Sequence, residues 1–117
     1  MANDMNADAL ISIHGNTYPD PAVSGTESYY YSEDSFPLAH DVHEQLVKAT
    51  GFRDRGVKQD NWKVLRECKV PAILLEVGFL TNPENETTLL NDDRQNEIAH
   101  AIVDGIKNYF NEGHYKG

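Results

Sequence analysis

Short apolar runs and one-sided helical stripes, separated by polar loops, make up most of the chain. Residues 9–13 and 72–80 are the two most apolar runs, and each predicts a buried strand. The second run follows Pro71 and is interrupted by a single charged residue, Glu76, a pattern typical of a central strand that is covered on both faces. A tyrosine-rich run over residues 26–32 predicts a further strand.

Two longer segments show the spacing of amphipathic helices. The first begins near Pro37, which suits a first helical turn, and stops at Gly51. Its apolar stripe comprises Leu38, Ala39, Val42, Leu46 and Ala49. The second begins near Asp92, and its stripe comprises Ile98, Ala99, Ile102, Ile106 and either Tyr109 or Phe110. Between the two, Asn82 is suited to cap a short helix over residues 84–90.

The remaining segments complete an α/β pattern. Residues 52–56 are mostly charged and predict a loop, and residues 62–66 predict a short strand. Strands that alternate with helices, one of them apolar on both faces, indicate a mostly parallel sheet with flanking helices. No linker, repeat or low-complexity tract divides the chain, so residues 1–117 are expected to form a single domain.

Composition narrows the classes of function. The 117 residues carry a formal net charge of −9 and no basic cluster, which argues against sequence-independent binding of nucleic acid. No apolar run approaches the roughly 20 residues of a membrane-spanning helix. The one cysteine, Cys68, excludes an internal disulfide and a cysteine-rich zinc site. Residues 1–4 lack the features of a secretory signal, so export is expected to need a signal upstream.

His14 is the first residue with candidate chemistry. It lies where the first buried strand is expected to give way to a turn at Gly15 and Asn16. Ligands collect at the carboxyl edge of open α/β sheets, so an imidazole at this point is a candidate metal ligand at the mouth of a site. The alternative is a histidine that only hydrogen-bonds its own loop.

Glu76 is the second such residue. An ionised carboxylate inside an apolar strand costs several kcal/mol in dehydration unless a cation or a donor meets it. Glu76 is therefore a candidate general base, because apolar neighbours raise the pKa of a carboxyl toward the range needed to take a proton from water. The alternative is a buried ion pair with Arg55 or Arg66.

A competing metal site is suggested by His40, His43 and Glu44. Residues three and four apart lie together on a helix surface, so these side chains have the spacing to hold one ion. They also flank the apolar stripe of the first helix, and a solvated polar face is the interpretation that the helix pattern favours.

Several short motifs, taken in order, match a known family. They are AN (residues 2–3), ADALISIHGN (7–16), SGTE (24–27), RGVK (55–58), VLR (64–66) and PAILLEVGFLTN (71–82). With these motifs the chain resembles the N-acetylmuramoyl-L-alanine amidase family 3, a group of bacterial and phage peptidoglycan hydrolases. The resemblance covers nearly the whole chain, and the order and spacing of the motifs are more specific than any one of them.

The resemblance implies a zinc-exopeptidase-like α/β fold. It also implies zinc-dependent hydrolysis of the amide between N-acetylmuramic acid and the L-alanine of the stem peptide, with peptidoglycan as partner and a secreted or cell-wall-associated location. By resemblance, His14 matches the last zinc ligand and Glu76 matches the catalytic glutamate. Asn16 and Arg55 also fall on motif positions, and the resemblance implies that they shape the substrate site.

The resemblance also implies that part of the fold lies elsewhere. The family's first zinc histidine and its ligand glutamate, with the first strands and helix, would lie upstream of Met1. The chain is then the carboxyl-terminal part of a catalytic domain with an incomplete zinc site, and weak zinc binding and poor hydrolysis are expected. A sheet edge left uncovered is expected to promote self-association. The alternatives are a non-catalytic cell-wall binding module and a flavodoxin-like interaction domain.

Overall fold

The computed structural model describes residues 9–111, which form one sheet and four helices. The strands are β1 (Leu10–Asn16), β2 (Thr26–Tyr30), β3 (Asp54–Gln59) and β4 (Ala72–Phe79). The helices are α1 (Phe36–Thr50), α2 (Lys63–Arg66), α3 (Pro83–Leu89) and α4 (Asp92–Asn111), and a 3-10 turn, Glu33–Ser35, precedes α1. Within the described residues, none of these helices combines the length and the hydropathy needed to cross a membrane.

The sheet has the strand order β1-β4-β2-β3. β1 pairs with β4 in parallel, β2 pairs with β3 in parallel, and β2 pairs with β4 antiparallel. Every residue of β4 is buried, so the predicted central strand and the predicted α/β fold with flanking helices are confirmed. The antiparallel pairing lies inside the sheet rather than at its edge, which departs from the doubly wound parallel order of a flavodoxin-like fold.

The two faces of the sheet are covered differently. α1 and α4 pack on one face, where Ile73, Leu75 and Val77 of β4 belong to the main core. On the other face, Ala72 and Leu74 pack with Leu65 of the short helix α2 in a smaller cluster. Because side chains alternate along a strand, Glu76 points to this second face. The second face therefore carries the candidate chemistry.

Three of the sequence-based predictions of secondary structure are wrong. β1 continues through His14 to Asn16, so His14 lies within the strand rather than in a turn after it. The segment predicted as a charged loop, residues 52–56, contributes to β3, which forms because β2 pairs with it. The predicted strand over residues 62–66 is instead the single-turn helix α2. An apolar run this short does not distinguish a helix from a strand.

The helix predictions are confirmed with one change of face. α1 ends at Gly51, which adopts φ 69°, and the Asn82 side chain caps α3 by accepting from the Asn85 N–H. In α4, however, Ala99 is exposed and Ala101 is buried. The buried stripe of α4 runs through Ile98, Ala101, Ile102, Gly105 and Tyr109.

Gly105 sets the distance between α4 and α1. A Cβ atom built on it would lie 2.5 Å from Val42 Cα and 2.9 Å from the Asp41 carbonyl oxygen. These are backbone atoms of α1, which move only if the helix moves. The absence of a side chain at Gly105 is therefore a packing requirement, even though glycine is a poor helix former.

We expect Gly105→Ala to lower the free energy of unfolding by up to about 2 kcal/mol. Alanine raises helix propensity by about 1 kcal/mol, but overpacking against an unyielding backbone costs about 1–3 kcal/mol. Urea unfolding measures the difference. Asn108→Ala, at an exposed position of the same helix, is the control and is expected to be neutral or stabilising. A Gly105→Ala protein as stable as the Asn108→Ala protein would contradict the close approach.

Candidate active site

His14 and Glu76 lie side by side. They are register partners in the parallel pairing of β1 and β4, so their side chains project from the same face of the sheet. A site shared by the two residues requires their strands to be neighbours, and this pairing meets that requirement. His14 is exposed and Glu76 is 6% exposed, which places the imidazole at the solvent side of the carboxylate.

The Glu76 carboxylate is buried without a full set of partners. Among the described residues, Oε2 of Glu76 has no hydrogen-bond partner. Burial raises the pKa of the Glu76 carboxyl above its ordinary value, the charge of His14 opposes that shift, and the charge of Glu27 adds to it. An orphaned carboxylate oxygen in this position suits a group that receives a proton from water or from a reacting molecule.

The alternative ion pair for Glu76 is not found. Arg55 Nε donates instead to Glu27 Oε2 at 3.3 Å, and Arg66 donates to Asn61 at 2.7 Å. The sequence did not single out Glu27 as an ion-pair partner, although it lies directly opposite Glu76 in the antiparallel pairing of β2 with β4. The row His14, Glu76, Glu27 thus crosses three neighbouring strands.

Both carboxylate oxygens of Glu27 have hydrogen-bond partners, unlike Oε2 of Glu76. Lys58 Nζ donates to its Oε2 at 2.7 Å, beside Arg55, and the Tyr29 hydroxyl donates to its Oε1 at 2.7 Å. Burial alone would raise the pKa of Glu27, but the hydrogen bonds from Lys58, Tyr29 and Arg55 lower it below its ordinary value. Glu27 is therefore a fixed negative charge, and it engages the two cations that would otherwise be available to Glu76.

The described residues include side chains of the kind that ligate metal ions. The exposed His14 imidazole, hydrogen-bonded to Ser12 Oγ at 3.0 Å through Nε2, is a suitable ligand, and the orphaned oxygen of Glu76 beside it is suited to a water molecule. A catalytic zinc ion is normally held by three protein ligands. Residues 9–111 contain no group of three or more His, Cys, Asp or Glu side chains placed to share an ion. Zinc therefore fits this surface only with further ligands.

Asn16 and Arg55 lie close to the same residue. Asn16 is the register partner of Phe79, and the guanidinium carbon of Arg55 lies 5.2 Å from the centroid of the Phe79 ring. The Asn16 side chain accepts from the Thr17 N–H at 2.8 Å. Both residues therefore flank the carboxyl end of β4, three positions beyond Glu76.

The competing histidine site is wrong, and the favoured interpretation of a solvated polar face is wrong at His43. His43 is 5% exposed and points into the molecule, whereas His40 is exposed beside Phe36. His43 Nδ1 and Ser28 Oγ are 2.7 Å apart, and His43 Nε2 and Asp54 Oδ1 are 2.7 Å apart. The spacing of Ala39, Val42, His43 and Leu46, at i, i+3, i+4 and i+7, is the signal that places His43 in the buried stripe.

The hydrogen-bonded side chains of Ser28, His43 and Asp54 join α1 to β2 and β3. They do not form a nucleophilic centre. Ser28 is completely buried in β2, so no substrate reaches its hydroxyl. If Ser28 donates to Nδ1 and Nε2–H donates to the carboxylate, all three side chains are satisfied. The hydrogen bond from His43 lowers the pKa of Asp54 below its ordinary value. The network is therefore a structural element of the fold.

Comparison with known proteins gives consistent matches. A family model described as N-acetylmuramoyl-L-alanine amidase matches residues 1–108. A protein of Staphylococcus aureus named "Probable cell wall amidase LytH" is 36% identical over 107 residues, which are 92% of this chain and 37% of the relative. The chain thus spans little more than a third of the length of that relative.

Solved structures share this fold closely. The catalytic domain of CwlV, an N-acetylmuramoyl-L-alanine amidase from Bacillus (Paenibacillus) polymyxa var. colistinus, matches with a TM-score of 0.90 and 42% identity, over 94% of this chain and 62% of that one. An N-acetylmuramoyl-L-alanine amidase from Clostridium difficile 630 matches with a TM-score of 0.90 and 38% identity, over 96% and 62%. The fold of the described residues is therefore shared with more than half of each of these two structures.

Proposed function

Because the chain belongs to the N-acetylmuramoyl-L-alanine amidase family, we propose that it carries the catalytic carboxylate and one metal ligand of a peptidoglycan amidase. The reaction is hydrolysis of the amide between N-acetylmuramic acid and L-alanine of the stem peptide. The observation that carries the proposal is the buried, partly unsatisfied Glu76 beside the exposed His14. We propose that residues 1–117 form part of one catalytic domain, in a protein that acts at the cell wall.

In this proposal Glu76 is the general base and then the general acid. Its carboxylate takes a proton from the attacking water and returns it to the nitrogen of the departing amine. The raised pKa of the Glu76 carboxyl favours the first transfer, and the ion pairs of Glu27 keep Arg55 and Lys58 from neutralising the base. Asn16 and Arg55, both beside Phe79, contact the substrate at the end of β4 in this proposal, which their shared neighbour supports.

His14 is the metal ligand in this proposal. A bound zinc ion would supply Lewis acidity at the amide carbonyl and lower the pKa of water. The imidazole holds one position of such an ion, and the remaining ligands come from outside residues 9–111. A single histidine binds zinc weakly, so slow hydrolysis by the 117-residue chain is the expected behaviour.

Isolated murein provides the test. The chain is incubated with murein and zinc, and the newly freed α-amino group of L-alanine is measured with and without a chelator. Slow, chelator-sensitive release supports the proposal. Full-rate release would contradict the incompleteness of the site. Retention on murein with no release of amine would favour the second candidate, a non-catalytic cell-wall binding module, which the lack of a three-ligand cluster in residues 9–111 also favours.

A further inference from the structure

Two cations of β3 converge on one carboxylate beside the candidate base. Arg55 Nε lies 3.3 Å from Glu27 Oε2, and Lys58 Nζ lies 2.7 Å from the same oxygen. One carboxylate neutralises only one of two cations, so this cationic cluster of Arg55, Lys58 and Glu27 keeps a positive charge. The chain as a whole has a formal net charge of −9. A local positive charge on an acidic protein is suited to hold an anion.

A bulge in β3 brings both cations to the same face of the sheet. Residues three apart in a regular strand point to opposite faces. Arg55 and Lys58 are three apart, yet both reach Glu27. The register explains this, because β3 advances three residues between its paired positions Asp54 and Val57, whereas β2 advances only two. Bulges of this kind re-aim a side chain and are common beside active sites.

Contacts within the described fold hold the bulge in place. Gly56 adopts φ 88°, a left-handed conformation that favours glycine. Its N–H donates to Asp54 Oδ1 at 2.8 Å, and the same oxygen lies 2.7 Å from the buried His43 Nε2. The hydrogen-bonded side chains that join α1 to β3 therefore also fix the backbone on either side of Arg55.

The cationic cluster keeps donors that Glu27 does not use. Arg55 bonds Glu27 through Nε, its guanidinium carbon lies 5.2 Å from the Phe79 ring centroid, and its two terminal nitrogens have no hydrogen-bond partner within residues 9–111. The Lys58 side chain is 43% exposed, and an ammonium group has three donors. A guanidinium with free terminal nitrogens matches the two oxygens of a carboxylate.

We propose that Arg55 and Lys58, held by Glu27, bind a carboxylate of the substrate peptide, on the residue that follows L-alanine. This inference rests on the proposed function, in which the amide carbonyl faces the side of His14 and Glu76 returns a proton to the departing amine. His14, Glu76 and Glu27 form one row across three strands. The peptide that carries the amine therefore extends from Glu76 toward β2 and β3.

The spacing of the sheet selects the residue after L-alanine. Neighbouring strands lie about 4.8 Å apart, and an extended peptide advances about 3.4 Å per residue. Glu27 lies one strand away from Glu76, and the two cations reach back from β3 to Glu27. The second residue of the peptide thus comes within reach of the cationic cluster.

NMR titration of the metal-free 117-residue chain with two dipeptides tests this subsite. L-Alanyl-glutamate and L-alanyl-glutamine, each with a free amino terminus and an amidated carboxyl terminus, differ by one carboxylate. We expect the acidic dipeptide to bind about 10-fold more tightly, as a charge-assisted hydrogen bond allows. Added salt is expected to reduce the preference. Equal affinities, or no detectable binding of the acidic dipeptide, would overturn the proposal.

Matched substitutions separate a built subsite from general charge attraction. Arg55→Gln and Lys58→Gln are each expected to lose most of the preference for the acidic dipeptide. Arg53→Gln removes the same charge from an exposed position two residues before Arg55 and is expected to keep the preference. An Arg55→Gln chain with the full preference, or an Arg53→Gln chain that loses as much of it, would refute the subsite.

The bulge has its own pair of variants. Gly56→Ala meets no atom within 4 Å, so its cost comes from the φ of 88° alone, and it is expected to lose the preference as the bulge rearranges. Gly51→Ala, at a glycine with φ 69° and equally open space, is the control and is expected to keep the preference despite a similar strain. Retention of the preference by Gly56→Ala would contradict the role of the bulge.

The titrations involve no hydrolysis, so they are independent of the proposed reaction. A chain that prefers the acidic dipeptide but releases no amine from murein would refute the proposed function alone. A chain that hydrolyses murein but binds the two dipeptides equally would refute the carboxylate subsite alone.

Discussion

Glu76→Gln is expected to lower the chelator-sensitive hydrolysis of murein by about 10²–10⁴-fold, the contribution typical of general acid–base catalysis. Glutamine keeps the size of the side chain and its place in β4 but cannot accept and return a proton. Rates are compared at high protein concentration with saturating zinc. Glu44→Gln, which changes an exposed glutamate on α1, is the control and is expected to retain the rate of the unmodified chain.

The same substitution is expected to stabilise the metal-free protein. Because the pKa of Glu76 is raised in the folded state, the stabilising effect of this carboxyl is full below the pKa of the unfolded chain and is lost as pH rises through the folded pKa. Glutamine does not titrate, so the advantage of the variant should grow with pH. Thermal unfolding at several pH values measures it. A Glu76→Gln protein with an unchanged rate of hydrolysis would reduce Glu76 to a buried charge without a catalytic role.

His43→Ala is expected to lower the free energy of unfolding by about 2–4 kcal/mol. The change leaves a cavity under α1 and deprives the fully buried Ser28 hydroxyl of its partner. It also removes the hydrogen bond to Asp54 that ties α1 to β3. Urea unfolding at neutral pH measures the loss. His40→Ala, on the exposed side of the same helix, is the control and is expected to change stability by about 0.5 kcal/mol or less.

Lowering the pH should reduce the difference in the free energy of unfolding between the unmodified chain and His43→Ala. The pKa of Asp54 is lowered in the folded state by the hydrogen bond from His43, so its stabilising effect is present above the unfolded pKa and is lost as pH falls through the folded pKa. The unmodified chain therefore loses more stability on acidification than the variant does. Parallel pH profiles for the two proteins would contradict this role of His43.

Strong hydrophobic periodicity made much of the fold predictable. An apolar run with one charged residue predicts β4, and apolar stripes with helical spacing predict α1 and α4. The pairing of His14 with Glu76 is not predictable in the same way, because sequence gives no direct measure of which strands are neighbours. The register of β1 with β4 supplies that missing step.

Polar segments were the hardest to predict. β3 reads as a loop because its residues are charged, and it becomes a strand only through pairing with β2, a contact between distant parts of the sequence. The same pairing aligns Tyr29 with Lys58 and so brings Lys58 to the Glu27 carboxylate. The partners of Glu27 and of His43 were therefore out of reach of any local pattern.

The central claim is that His14 and Glu76 face one metal-binding surface. The most direct measurement is NMR of the metal-free chain during addition of Mn²⁺, whose unpaired electrons broaden the signals of nearby nuclei. We expect broadening to centre on His14 and Glu76, with the exposed histidines His40 of α1 and His100 of α4 affected only at much higher concentrations. Broadening that begins at His40 or His100 and leaves β1 and β4 sharp would contradict the claim.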